Sequence, residues 1–204
     1  MLSISEELAH VEATGPSTFK DLSLFPLHHP NPTAPGPDYL LLEDAVAQGL
    51  ARVTEAGGGG SVPEIRFEND AEMPVLLLDG EELLGAKQDR VLNLTILAPP
   101  KRATLIPVSC VEPGRWRMTT PEFRVAGDVM YSRGRAARCA QVTASMRTSG
   151  THGSDQASVW DELAAKASRL CVDSPTGAMA AMYERHALLI EEVGYPVDSG
   201  NPKM

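Results

Sequence analysis

The stretch Pro74-Val-Leu-Leu-Leu-Asp-Gly-Glu-Glu-Leu-Leu-Gly-Ala-Lys-Gln-Asp-Arg-Val-Leu-Asn-Leu-Thr-Ile-Leu97 decides the fold class of this 204-residue chain. Its short apolar runs are separated by Gly, Asp and other turn-forming residues, a pattern typical of β-strands. Between Val91 and Leu97 apolar and polar residues alternate, as in a strand with one buried face. The dipeptide Asp79-Gly80 predicts a hairpin between the runs on either side of it.

Similar runs extend this β pattern in both directions, so residues 17–116 are predicted to be mainly β. A short helix over Glu43 to Leu50 interrupts the pattern, since Gly49 ends its apolar spacing. The further strand candidates are Phe19 to Leu27, Tyr39 to Leu42, Ile65 to Glu68, Pro74 to Leu78, Leu83 to Leu84 and Thr104 to Val111.

Beyond residue 130 the apolar spacing changes from two residues toward 3.6, which predicts helices over residues 130–193. Arg133 to Arg147 and Ser158 to Leu170 are the first two. Ser174-Pro175 is typical of an N-cap followed by proline at the first helical position, so we expect a third helix from there to about Val193. Residues 194–204 are expected to be a tail.

Strands followed by helices predict a single α+β domain spanning residues 1–204. We expect an antiparallel sandwich or partly open barrel in the N-terminal two-thirds. Two or three helices from the C-terminal third are expected to pack on it.

Composition favours a globular domain and argues against a membrane protein. Hydrophobic residues make up 43% of the chain and charged residues 22%, and the longest apolar runs are far too short to span a bilayer. The acidic N-terminus has no apolar stretch of signal-peptide length. Three widely spaced cysteines do not form a disulfide framework. We therefore expect a cytoplasmic protein.

Charge is distributed unevenly along the chain. Residues 87–147 hold eleven Lys/Arg against four Asp/Glu, a surplus of seven positive charges, whereas the whole chain carries a net charge of -9. Such a block can attract an anionic small molecule, or its arginines can pair with acidic residues elsewhere in the fold. The acidic remainder makes duplex nucleic acid an unfavourable partner.

Polar residues concentrate in two motifs, residues 79–90 and Ser109-Cys-Val-Glu-Pro-Gly-Arg-Trp116. Glu81 and Glu82 are the candidate catalytic groups. On a regular strand they face opposite sides, so only one of them can reach a shared pocket as general acid or base. Exposed turn residues are the plainer interpretation of both.

The candidate ligand-binding residues carry cationic, amide and aromatic groups suited to an anionic molecule that also bears a ring. A solvent-exposed strand entrance and a core-sealing tryptophan are the alternative interpretations. The set consists of Lys87, Gln88, Arg90, Ser109, Glu112, Arg115 and Trp116.

Other chemistry receives little support from the sequence. Cys110 shares strand parity with Ile106 and Val108, which predicts a buried and inert thiol. The five histidines show no paired spacing, so no metal site is expected. The run Gly57 to Gly60 lacks the lysine and hydroxyl residue of a phosphate-binding loop, so no cofactor is expected.

The two motifs resemble the signature of a prokaryotic domain family associated with ADP-ribosylglycohydrolases and rhodanese-type phosphatases. The similarity is carried by Leu78-Asp-Gly-Glu-Glu-Leu-Leu-Gly-Ala-Lys-Gln-Asp-Arg90 and Ile106-Pro-Val-Ser-Cys-Val-Glu-Pro-Gly-Arg-Trp116. Gln156 to Trp160 and Ser174-Pro-Thr-Gly177 extend it. The resemblance implies a context of ADP-ribose, nucleotide or phosphate metabolism and no particular activity.

Three functions are compatible with these observations. We favour binding of a phosphorylated or nucleotide-like small molecule, on the strength of the basic block. The second is a hydrolase with Glu81 or Glu82 as general base. The third is an interaction or dimerisation domain whose helical layer docks a partner or a second copy, and a homo-oligomer is compatible with the first function as well.

Overall fold

The structure is a computed structural model that describes residues 4–29, 38–57 and 63–194. The expected tail lies outside these residues, apart from Gly194, and so does most of the glycine run at 57–60. The chain divides into two compact units, one comprising Asp38–Arg185 and the other Met1–Pro37 with His186–Met204.

The helices and strands are numbered in chain order. The helices are α1 (Ile4–Leu8), α2 (Leu42–Ala47), α3 (Ser132–Ser149), α4 (Gln156–Arg169) and α5 (Ala180–Gly194). The strands are β1 (Glu12–Ala13), β2 (Ser17–Phe19), β3 (Leu22–Leu24), β4 (Leu27–His28), β5 (Leu40–Leu41), β6 (Ala51–Glu55), β7 (Glu64–Asn69), β8 (Val75–Leu77), β9 (Glu81–Gly85), β10 (Arg90–Leu92), β11 (Ile96–Ala98), β12 (Arg102–Cys110) and β13 (Phe123–Val129).

In the unit that contains the N-terminus, β1 pairs with β4 and β2 pairs with β3, both antiparallel. The prediction of one strand from Phe19 to Leu27 was therefore wrong. A turn at Lys20, whose φ is 52°, reverses the chain and makes a hairpin of the first half of that run. A residue with left-handed backbone conformation ends a strand, and the spacing of apolar residues in the sequence does not reveal it.

The larger unit is built around a six-stranded antiparallel sheet in the order β13-β9-β10-β12-β7-β6. The sheet curls into a half-barrel, so that its edge strands β13 and β6 approach each other. This curl encloses the first hydrophobic core, which includes Val53, Phe67, Leu83, Leu92 and Ile106. Helix α2 closes the core with Leu42 and Ala45.

A smaller sheet in the order β11-β8-β5 completes the β region. Strand β8 pairs with β11, and β9 pairs with β10 and β13, so the hairpin predicted at Asp79-Gly80 was wrong. Asp79 and Gly80 instead carry the chain from one sheet to the other. The backbone of Gly80 bonds Leu92 and Met130 there, which holds the crossing in place.

The three helices of the C-terminal third accompany the sheet as predicted, and the α+β class is confirmed. A second core joins the sheet to α4 and α5 through Val91, Val111, Leu163, Met179 and Met182. The predicted start of the last helix at Ser174 was wrong. Gly177, whose φ is 65°, interrupts the helix there, so α5 begins at Ala180.

Helix α4 is tied to the sheet by its first residue. The side chain of its N-cap Asp155 accepts hydrogen bonds from the N–H groups of Ala157 and Ser158. The amide of Gln156 then bonds both the N–H and the C=O of Cys110, at 2.9 and 2.8 Å. Strand β12 has already lost its partner β7 at that point, since their last pair is Pro107 with Glu64. Gln156 therefore occupies the edge that β7 leaves open.

No helix in the described part of the chain combines the length and the apolar character needed to cross a membrane.

Candidate functional site

The first cluster of buried charge, the Arg115 cluster, consists of Asp89, Glu112 and Arg115. The guanidinium of Arg115 donates to Glu112 Oε2 at 2.7 Å and to Asp89 Oδ1 at 2.8 Å. Its remaining N–H groups bond the carbonyl oxygens of Gly85 and Ala86 and the hydroxyl of Thr119, among others. Every donor nitrogen of Arg115 is thus engaged within the protein.

Hydrogen bonding decides the protonation of Glu112. Burial alone would raise the pKa of its carboxyl, but hydrogen bonds from Arg115, Thr176 and the N–H of Asp89 outweigh burial and hold the pKa below its usual value. Glu112 is therefore ionised at neutral pH and forms an ion pair with Arg115.

Two loops interlock beside the Arg115 cluster. The N–H of Gly114 donates to the carbonyl of Thr176 at 2.8 Å, and a Cβ at Gly114 would lie 2.8 Å from the Thr176 Cα. On the other loop, a Cβ at Gly177 would lie 3.1 Å from the Cγ atom of Pro113. These approaches require glycine on both sides, so the two loops that the sequence motifs mark form one rigid junction.

The second cluster, the Arg90 cluster, consists of Lys87, Gln88, Arg90 and Trp116. Arg90 is 0% exposed. Its Nη1 donates to Gln88 Oε1 at 2.8 Å, and Gln88 is itself held by a bond from its Nε2 to the carbonyl of Glu112. The Trp116 ring, which is 51% exposed, lies 5.7 Å from the Arg90 guanidinium and 5.1 Å from Lys87 Nζ.

One edge of the Arg90 guanidinium is bare. Its Nε and Nη2 are buried and find no hydrogen-bond partner among the described residues, and Arg90 forms no ion pair with a described carboxylate. A buried guanidinium without a counter-charge is costly. These two nitrogens form the side-on edge with which arginine grips a carboxylate or phosphate in bidentate fashion.

The third group, the Asp79 network, ties the sheet to α3. Asp79 accepts bonds from Arg138 and from Arg135, the latter at 2.8 Å, and Arg138 also donates to Asn93 Oδ1 at 2.8 Å. Ser109 donates to the same Asn93 oxygen at 2.6 Å. Burial would raise the pKa of Asp79, but the two arginines lower it below its usual value. The charges of this network are met within the protein, although Arg138 Nε has no hydrogen-bond partner among the described residues, and Ser109 belongs to the network.

The two glutamates of the first motif have separate environments, as strand parity predicts. Glu81 Oε2 accepts a bond from the N–H of Leu78 at 2.7 Å, which closes the turn before β9. Glu82 lies on the other face of β9, is 0% exposed, and neither of its oxygens has a hydrogen-bond partner. The N–H of Ala180 lies close enough to favour the ionised form, yet it makes no hydrogen bond of normal geometry.

Burial, and then the negative charges of Asp89, Asp128 and Glu184, raise the pKa of Glu82 to about 8. The carboxyl therefore keeps its proton at neutral pH. In that state it can donate a proton but cannot serve as the general base that the hydrolase hypothesis assigns to it.

A cleft of about 1280 Å³ lies within the larger unit. Its lining comes from the end of β9, residues 119–124, residues 171–178 and the first turns of α5. The charged side chains in it are of both signs. They are Asp89, Arg115, Glu122, Arg124, Asp173, Glu184 and Arg185.

The predicted site residues thus fall in several places rather than in one cleft. Lys87, Gln88, Arg90 and Trp116 lie together, Glu112 and Arg115 bind each other, and Ser109 lies in the Asp79 network. Of the predicted ligand-binding residues, Arg115 lines the cleft.

Sequence reasoning missed the cleft residues Arg124, Glu184 and Arg185. They come from segments without a motif and meet through the tertiary fold, so no local pattern marks them. Asp79, by contrast, stands at the head of the first motif, and its polar character at the end of an apolar run was a usable signal.

Comparison with known proteins yields one match. A family model described as the ARG and Rhodanese-Phosphatase-superfamily-associated Protein domain matches residues 10–194. No curated protein and no solved structure matches the chain. The match covers most of the chain and confirms the resemblance that the two motifs indicate.

Proposed function

We propose that this chain, which belongs to the ARG and Rhodanese-Phosphatase-superfamily-associated Protein family, binds a phosphorylated or nucleotide-like small molecule at the Arg90 cluster. The observation that carries the proposal is the bare Nε and Nη2 edge of a fully buried guanidinium. An oxyanion bound side-on would supply both missing acceptors and the missing counter-charge in one step.

The neighbours of Arg90 favour that ligand class. Gln88 holds Nη1 and so orients the guanidinium, which leaves the other edge for a ligand. Lys87 adds a second positive charge within 5.1 Å of the Trp116 ring centre. An aromatic face beside two cations suits a molecule that carries both a phosphate and a ring.

Trp116 is the exposed neighbour of Arg90, and in this proposal its side chain moves when a ligand enters. The loop backbone is anchored before it by Arg115 and after it by the bond from the N–H of Thr119 to the carbonyl of Ala86. We therefore expect rotation of the Trp116 side chain, rather than opening of the loop, when a ligand binds. The Arg115 cluster acts in this proposal as the support that positions the loop.

Tryptophan fluorescence tests the proposal directly, because the chain has two tryptophans and one of them, Trp116, lies 5.7 Å from the Arg90 guanidinium. In a Trp160→Phe background the signal comes from Trp116 alone. Titration with ADP-ribose, ADP and pyrophosphate is expected to change it, whereas neutral adenosine is not. Arg90→Lys keeps the charge but loses the bidentate edge, and about tenfold weaker binding, or 1.4 kcal/mol, is expected.

The matched control is Arg117→Lys, since Arg117 is exposed and lies in the same loop. Its affinities should equal those of the parent. Equal affinity of the Arg90→Lys protein, or no fluorescence and calorimetric response to any of the phosphorylated compounds at millimolar concentration, would overturn the proposal.

A further inference from the structure

A carboxyl group beside the Arg90 cluster has one oxygen without a partner. Glu55 is the last residue of β6, and its Oε1 accepts a hydrogen bond from the N–H of Lys87 at 3.1 Å. Its Oε2 is buried and finds no hydrogen-bond partner in the described part of the chain. Such an atom calls for a partner, because buried polar groups in native proteins are almost always bonded.

The sheet brings Glu55 and Arg90 to the same end of the half-barrel. Glu55 has the strand parity of Val53, a residue of the first core, so it faces the inside of the curl. Arg90 has the parity of Leu92, which belongs to that core as well, and it also faces inside. The turn that joins β9 to β10 lies over this end, because its residue Lys87 bonds Glu55.

Lys87 connects the two groups. Its backbone N–H is bonded to Glu55, while its Nζ lies 5.1 Å from the centre of the Trp116 ring. That ring lies 5.7 Å from the Arg90 guanidinium. Three residues of chain span at most about 11 Å, so the backbone of Lys87 and that of Arg90 lie within the reach of one small ligand.

The unpartnered atoms of the two side chains are opposite in kind. Nε and Nη2 of Arg90 are donors, whereas a carboxylate oxygen such as Glu55 Oε2 accepts hydrogen bonds and donates none. One molecule that carries both an oxyanion and a hydrogen-bond donor would satisfy both residues.

An uncharged hydroxyl suits Glu55 better than a cationic donor. An ammonium group of the ligand would be repelled by Lys87 and by Arg90, which has no carboxylate of its own. A hydroxyl donates a hydrogen bond without adding charge. A metal ion is a poor alternative, since no group of three or more His, Cys, Asp or Glu among the residues that the structure describes could hold one.

We propose that the ligand of the Arg90 cluster is a sugar phosphate, whose phosphate lies against Nε and Nη2 of Arg90 and whose free hydroxyl donates to Glu55 Oε2. This inference rests on the function proposed above and adds to it the requirement for a hydroxyl. Glu55 is then the residue that distinguishes a sugar phosphate from other phosphorylated compounds.

Calorimetry with two matched ligands tests the inference on the unaltered protein. Ribose 5-phosphate carries the phosphate and hydroxyls, whereas cyclopentylmethyl phosphate has the same phosphate on a five-membered ring without hydroxyls. Ribose 5-phosphate is expected to bind about tenfold more tightly, the size of one hydrogen bond to a charged group. Equal affinities, as expected if a water molecule rather than the ligand bonds Oε2, would overturn the inference and leave the proposed function standing.

Pyrophosphate separates the two proposals further. If it binds and ribose 5-phosphate does not, only the requirement for a hydroxyl is overturned. If neither pyrophosphate nor either of the matched ligands binds at millimolar concentration, the proposed function fails and this inference fails with it.

The Glu55→Gln protein shows whether Glu55 causes the preference. Glutamine keeps an oxygen for the N–H of Lys87 and replaces Oε2 by an NH₂ group, which cannot accept a hydrogen bond. The preference for ribose 5-phosphate should fall to about twofold or less, while cyclopentylmethyl phosphate should bind no more weakly than before, since a negative charge near its phosphate is gone.

The matched control is Glu64→Gln, because Glu64 is exposed and precedes Ile65, the β7 residue that pairs with Glu55. It removes the same charge and should keep the full preference. A full preference in Glu55→Gln would overturn the inference. The comparison of the two ligands uses the unaltered protein, so it decides the matter even if Glu55→Gln fails to fold.

Discussion

Arg115, whose side chain is 10% exposed, and Arg90, which is fully buried, come from the same pair of motifs, and their hydrogen-bond partners differ. Arg115 lies between two carboxylates and bonds through every nitrogen, whereas Arg90 bonds one neutral amide and leaves two nitrogens bare. Arg138 resembles Arg115, since Asp79 meets its charge. The burial of a charge therefore does not distinguish a structural arginine from a ligand-binding one, but the state of its partners does.

The difference also predicts how each arginine contributes to stability. Removing one member of a satisfied buried ion pair leaves the other charge uncompensated, which is strongly destabilising. Removing a buried charge that had no counter-charge relieves a cost instead. The two clusters should thus respond to the same substitution with effects of very different size.

The largest effect is expected for Arg115→Met, which leaves the carboxylates of Asp89 and Glu112 buried without a counter-charge. The free energy of unfolding should fall by roughly 3–5 kcal/mol in urea denaturation. Arg117→Met, at the exposed arginine two residues on, is the control and should lie within about 0.5 kcal/mol of the parent. A loss from Arg115→Met no larger than that of its control would show that the Arg115 cluster is not the support described above.

The next largest effect is expected for Glu82. Both of its buried carboxyl oxygens lack a hydrogen-bond partner, as do Nε and Nη2 of Arg90. Because the folded pKa of Glu82, about 8, lies above the 4.5 of an exposed glutamate, its contribution to stability is fully present below pH 4.5 and is lost as the pH rises to 8. The loss between pH 5 and pH 8 should amount to about 3 kcal/mol.

In Glu82→Gln this part of the pH dependence should disappear, and unfolding followed by circular dichroism across that pH range measures it. Glu64→Gln, at an exposed carboxyl on β7, serves as the control. Parallel stability curves for Glu82→Gln and the parent would mean that Glu82 is already ionised in the folded protein.

The smallest effect is expected for Arg90→Met. Methionine can fill much of the same space without a charge, so stability should stay within about 1 kcal/mol of the parent or rise. Thermal unfolding of the two proteins in the absence of ligand is the measurement. A loss as large as that of Arg115→Met would place a hidden counter-charge beside Arg90 and remove the contrast between the two clusters.

Strand parity made part of the site predictable from the sequence. It separated Glu81 from Glu82 and placed Cys110 in the core, where it is 0% exposed and where burial raises the pKa of its thiol. Parity depends on neighbouring residues alone, so it needs no knowledge of which strands pair.

The partners of these groups could not be predicted in the same way. Arg115 meets Asp89 across 26 residues, and Arg138 meets Asp79 across 59. Such pairs depend on strand order and on where α3 crosses the sheet. The basic block shows the consequence, because Arg133, Arg135 and Arg138 pair with carboxylates outside it while Arg90 does not. The number of charges in the sequence does not tell which arginines pair with a carboxylate and which do not.

Irregular backbone accounts for several of the errors in the fold. The strand over Phe123–Val129 went unpredicted because its register shifts after Val125 and Gly127 adopts a φ of 81°, which breaks the alternation of apolar residues. The start of α5 was displaced by Gly177 for a similar reason. Left-handed residues interrupt elements without changing the hydrophobic pattern on either side of them.

The Gln156 amide that bonds Cys110 has a consequence for the chain during synthesis. Until residue 156 has left the ribosome, the last residues of β12 present an unprotected sheet edge, and such an edge can recruit a strand from another chain. A single side chain at the start of α4 later occupies these groups. We therefore expect the chain to be more open to strand addition at this edge before α4 is synthesised than after it.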